Sequence, residues 1–83
     1  MVNPKISREV GGLMPMLTAL GMSINERLEL ANKVENITDL SELDPKYLNK
    51  INLAKKLVQA GISELKVMQD PEKYIREFGK ISK

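Results

Sequence analysis

Eighty-three residues suffice for one domain with a thin core. The chain has neither cysteine nor histidine, which removes disulfides, thiolate nucleophiles, the usual transition-metal ligands and the commonest general base. The net charge of +2 is unevenly divided: residues 1–44 carry four basic and seven acidic side chains, residues 45–83 nine basic and four acidic.

Such asymmetry marks either an anionic partner for the basic half or complementarity between the two halves. At 42% hydrophobic but 4% aromatic, the core falls to Leu, Ile, Val and Met. That favours helices packed through aliphatic stripes over a β-sandwich. No apolar run reaches the roughly 18–20 residues of a membrane span. No secretory signal pattern opens the chain, so a soluble, cytoplasmic protein is expected. Asn36-Ile37-Thr38 matches a glycosylation acceptor, idle without a secretory route.

Residues 1–22 read as a kinked or broken helical region. Asn3 can cap and Pro4 can take the first helical position. Ile6, Val10, Leu13, Leu17 and Leu20 recur at helical spacing, interrupted by Gly11-Gly12 and Pro15. Met14, Met16 and Met22 lie among the leucines. They fill gaps in the core or offer an adaptable binding surface. Gly21 closes the region.

Ser23-Ile24-Asn25-Glu26 has the form of a capping box. The helix it opens runs to about residue 35 or 36, with Ile24, Leu28, Ala31 and Val34 expected on one inner face, widened by Leu30 and Ile37. Thr38 to Leu43 is a short helical turn. Asp39, Glu42 and Asp44 make a small acidic cluster that lacks the glycine and alternate-position oxygens of a calcium loop, and helix capping explains Asp39 and Asp44.

The strongest helix covers about 45–60. Asp44 and Pro45 start it and Gly61 stops it. Leu53, Leu57, Ala54, Tyr47, Val58 and Ile51 span an arc of about 160°, wide enough for more than one neighbour, so this helix is expected to be central. Its lysines, Lys46, Lys50, Lys55 and Lys56, do not form one stripe. Lys46 and Lys50 also stand near the positive end of the helix dipole without a local reason. They either snorkel over apolar neighbours or face an anionic partner. Ser63 opens a further short helix. Asp70-Pro71 starts the last one, to about Phe78, with Tyr74, Ile75 and Phe78 inward. The Asp70-Pro71 segment echoes the Asp44-Pro45 start. Residues 80–83 are expected to be a frayed basic tail.

No phosphate loop, dinucleotide fingerprint or metalloprotease motif is present, and no serine stands in a catalytic arrangement. No enzyme activity, cofactor or metal is expected. Leu53 to Asp70 can be laid on a helix-turn-helix, but Pro71 ends the second helix early and no arginine lies on it to read guanine.

These readings converge on a single all-α domain, 1–83: a small bundle of four to six short helices around the 45–60 helix. The function expected is a non-catalytic protein-interaction module of regulatory or accessory type, resembling small bacterial or phage proteins in size and composition. It binds a protein partner or self-associates, through Lys46, Lys50, Lys55, Lys56, Met14, Met16 and Met22. The alternative is DNA binding by the basic C-terminal half through the 53–70 segment, using Lys55, Lys56, Lys66, Lys73 and Arg76.

Overall fold

The computed structural model describes residues 4–79. They form five α-helices and one 3-10 turn: α1 (Pro4–Ala19), α2 (Ile24–Val34), the turn Leu40–Glu42, α3 (Pro45–Gln59), α4 (Glu64–Gln69) and α5 (Pro71–Phe78). No strand occurs among the described residues. The expected cap at Asn3 and the tail at 80–83 lie outside them. The described body measures 37 × 29 × 20 Å.

α1 is one continuous helix, although the Gly11-Gly12 pair and Pro15 left two short helices open. Pro15 lies inside it. The reason is positional. Pro15 denies a hydrogen bond to the carbonyl of Gly11, and both residues lie on the exposed side, where water can take the acceptor. The opposite side carries Ile6, Val10, Leu13, Met16, Leu17 and Leu20, all buried. That packing outweighs the propensity cost of two glycines, about 1 kcal/mol each.

One corner is used twice. After α1, the Gly21 N–H donates to the Thr18 carbonyl and the Met22 N–H to the Leu17 carbonyl. After α3, Gly61 and Ile62 repeat the pattern onto Val58 and Leu57. Both are Schellman closures, and both glycines take the left-handed φ the closure demands, 100° and 76°. A serine follows each. The Ser23 Oγ accepts from the Glu26 N–H at 3.1 Å while the Glu26 carboxylate accepts from the Ser23 N–H at 2.9 Å, completing the capping box of α2. Ser63 caps α4 through the Lys66 N–H at 3.3 Å. The sequences Gly-Met-Ser and Gly-Ile-Ser thus each end one helix and begin the next.

α1 packs against α2, α3 and α4, while α5 packs on α3 and α4. α1 therefore shares the centre with α3. α3 buries Tyr47, Ile51, Leu53, Ala54 and Leu57 as its wide arc requires, and only Val58 of that arc turns to solvent. Two polar contacts tie α3 to the N-terminal half. The Tyr47 hydroxyl donates to the Glu29 carboxylate at 2.6 Å, and Lys55 pairs with Glu9 at 2.6 Å.

The inner face of α2 differs from the expected one. Leu30 and Val34 are buried, whereas Ile24 and Leu28 are 66% and 60% exposed. Short α2 has one main neighbour, so only the arc against α1 is covered. On 100° spacing, Ile24 and Leu28 fall well to one side of the Leu30–Val34 line.

Candidate functional site: the α3–α5 groove

α5 meets α3 near the latter's C-terminal half and leaves an open cleft of about 610 Å³ beside its first turns. Its floor is apolar, made by Leu53 of α3 and by Ile75 and Phe78 of α5. Its rim is polar: Lys46, Asn49, Lys50, Asn52 and Lys56, all from α3. No carboxylate lines it.

Helical geometry explains the gathering. Lys46, Lys50 and Leu53 form one row at i, i+4, i+7. Asn49, Asn52 and Lys56 form the adjacent row at i, i+3, i+7. The rows merge into one wall once α5 supplies the opposite side. α5 itself is positioned by its cap, in which the Asp70 carboxylate accepts from the Lys73 N–H at 3.3 Å, and by Pro71 in the first turn. Its half-buried Tyr74, Ile75 and Phe78 face the core. The Lys56 ammonium donates to the Phe78 carbonyl at 3.4 Å, closing the end of the cleft.

The rim lysines differ in how far the fold satisfies them. Lys46 lies over the Tyr47 ring, 4.9 Å from its centroid. Neither Lys46 nor Lys50 forms an ion pair with a described residue. The Ser23 N–H holds the Glu26 carboxyl below the usual range, with Lys46 and Lys50 adding a smaller pull from a distance. Lys46 also occupies the first turn of α3, which contains no acidic residue. The helix dipole opposes a cation there.

The residues expected to bind a partner are thus divided. Lys46, Lys50 and Lys56 come together in the groove. Lys55 turns away to Glu9. Met16 and Met22 are buried in the core, the gap-filling alternative of the two readings, and Met14 is half-buried against it. The physical reason is direct: Met16 shares the face of Leu13, Leu17 and Leu20, and Met22 follows the corner glycine, opposite Leu17. Five groove residues escaped notice in the sequence. Asn49 and Asn52 lie opposite the apolar arc of the 45–60 helix with no local signal of a site, and Leu53, Ile75 and Phe78 read as inward-facing. Their common location depends on where α5 lands, for which the sequence carries no local signal.

The DNA-binding candidates are not gathered in this groove apart from Lys56. Lys66 lies on α4, and Lys73 and Arg76 lie on α5. Lys73 stacks over Tyr74, 5.4 Å from the ring centroid. Of the two helices of the 53–70 segment, α4 has six residues and ends at Gln69. It exposes Leu65 and Met68, at 73% and 56%, beside Lys66.

For catalysis the site has no equipment beyond lysine and asparagine. No group of three or more potential metal ligands occurs among the described residues, and none of their helices is long and apolar enough to cross a membrane. Two of the acidic residues of the 39–44 segment have local duties, while the side chain of Asp44 makes no capping hydrogen bond at the start of α3. Asp39 accepts from the Ser41 N–H at 3.0 Å, which lowers its pKa, and Glu42 accepts from the Thr38 hydroxyl at 2.9 Å. Set against known protein families, characterised proteins and solved structures, the chain matches none of them.

Proposed function

We propose that this chain is a non-catalytic protein-interaction module whose docking surface is the α3–α5 groove. The observation that carries the reading is the pairing, in one cleft, of an apolar floor (Leu53, Ile75, Phe78) with a rim of Lys46, Lys50 and Lys56. Apolar floor and polar rim are the anatomy of a protein interface. Lys46 adds weight, since a cation in the first turn costs the isolated helix stability, and a partner carboxylate offsets that cost. The non-catalytic part of the reading is supported by the lack of histidine and cysteine.

A photo-crosslinking amino acid placed at Asn49, on the groove, and separately at Asn32, on exposed α2, tests the reading in the native host. The expected result is a protein adduct from Asn49 that disappears in the Lys46→Glu/Lys50→Glu background and has no counterpart at Asn32. Equal adducts from both positions, or nucleic acid as the sole adduct at Asn49, would overturn it.

A further inference from the structure

We infer that the occupant of the α3–α5 groove is an acidic, amphipathic segment of another protein, its apolar side chains on Leu53, Ile75 and Phe78 and its carboxylates on Lys46, Lys50 and Lys56. The inference rests on the docking role proposed above and adds the chemistry of the partner.

Three observations converge on it. The first is charge. The rim bears three ammonium groups and no carboxylate, and Lys46 and Lys50 form no ion pair with a described residue, although Lys46 lies over the Tyr47 ring and both attract the Glu26 carboxylate from a distance. From Lys46 to Lys56 the rim follows α3 for about 15 Å, the length of three helical turns of a partner. The second is the floor. Ile75 and Phe78 are half-buried, held on one side by the core and open on the other to the cleft. A phosphate backbone has no use for that surface, and no arginine stands in the lining to grip phosphate in two-pronged fashion. The third is the amides. Asn49 and Asn52 each carry a donor pair and an acceptor, suited to a polypeptide's main chain or carboxylates.

Two nearer occupants fit less well. Residues 80–83, Lys-Ile-Ser-Lys, bring two basic side chains and no acidic one to a positive rim. A second copy has part of its acidic complement engaged, since Glu26, Asp39 and Glu42 accept hydrogen bonds within their own chain, Glu29 holds Tyr47 and Glu9 pairs with Lys55; self-association through the remaining carboxylates is an outcome of the test below.

The test is a fluorescence anisotropy titration of the full chain with four probes, and a fifth for the charge-reversed variant. The four are a labelled 16-residue peptide with leucines at i, i+3, i+4 and i+7 and glutamates between them, the same peptide with every Glu replaced by Gln, poly-glutamate, and a 24-base-pair duplex DNA. The acidic amphipathic peptide should bind at least about fivefold more tightly than the Gln peptide, the effect of a few exposed charge contacts. It should also outbind poly-glutamate and DNA. Lys46→Glu/Lys50→Glu should erase the preference, and a peptide with lysines in place of glutamates should bind that variant better than it binds the parent chain. Lys46→Gln/Lys50→Gln, with helicity checked by circular dichroism, covers the case in which the glutamate variant folds poorly. Equal binding of poly-glutamate or DNA, no preference over the Gln peptide, or a concentration-dependent dimer abolished by the glutamate pair would each overturn the inference. The two proposals fail separately. An Asn49 cross-link to a neutral or basic protein segment leaves the interaction module standing and removes the acidic occupant. The absence of any protein adduct at Asn49 removes both.

Discussion

Four of the five glycines of this chain fall into two physical kinds. Gly21 and Gly61 have positive φ, which a side chain tolerates poorly, and both carry the corner closures. Gly61→Ala should therefore cost about 1–2 kcal/mol. Gly12 lies in a helix, and a methyl group added there meets open space. Gly12→Ala should stabilise the chain by about 1 kcal/mol. Urea unfolding of both variants checks the opposite signs. Tyr47 makes a second residue-level prediction. Its hydroxyl donates to Glu29 and its ring is buried, and these raise its pKa to about 12 from the ordinary 10.0. A group whose folded pKa is raised contributes stability fully below its unfolded pKa and loses it as pH climbs through the folded value. Stability should decline between roughly pH 10 and 12 more steeply in the parent chain than in Tyr47→Phe. Thermal melts at stepped pH show the difference. Arg27 is a residue without an evident reason: its Nε is buried with no hydrogen-bond partner.

At the scale of elements, short helices here depend on their ends. α2 has eleven residues and α4 six, too few to persist alone in water. Removing the Ser23 hydroxyl by Ser23→Ala breaks the capping box and should lower stability by about 1 kcal/mol, read from the midpoint of urea unfolding. Most of this organisation was legible in the sequence because caps are local. Ser23 with Glu26, Pro45, Gly61, Ser63 and Asp70-Pro71 each announce themselves within four residues. The failures share one cause. Ile24 and Leu28 sit outside the packed arc, and the glycines with Pro15 do not break α1, because burial against other helices decides both outcomes. α5 is attached most lightly. None of its residues is fully buried, and it rests on Tyr74, Ile75 and Phe78. Hydrogen exchange should find the amides of α5 the fastest to open among the helices of eight residues or more, and those of α1 and α3 the slowest.

For the whole molecule, the central question of the sequence was whether its basic half meets its own acidic half. The fold gives a partial answer. Lys55 does so through Glu9, and Tyr47 through Glu29, while Lys46 and Lys50 line the groove without an ion pair among the described residues. Lys46→Glu suits the helix dipole but gives up the contact with the Tyr47 ring and the attraction to Glu26, effects of similar size, so it should leave the stability of the free chain within about 0.5 kcal/mol of the parent while weakening partner binding. Charge alone could not locate the site beforehand. Lys46 and Lys50 are adjacent in the sequence pattern, but the floor beneath them arrives from residues 75–78, brought by the α5 packing.

Among the described residues, apolar surface is open at the α3–α5 groove, at Ile24 with Leu28 on α2, at Val58 on α3 and at Leu65 with Met68 on α4. The most direct measurement is a set of amide nitrogen–proton spectra recorded while the acidic amphipathic peptide is titrated into the labelled chain. The groove account predicts that shift changes concentrate at residues 46–56 and 75–79 and vanish in Lys46→Glu/Lys50→Glu. Changes centred on Ile24 and Leu28, or on Leu65 and Met68, with the groove amides unmoved, would contradict it.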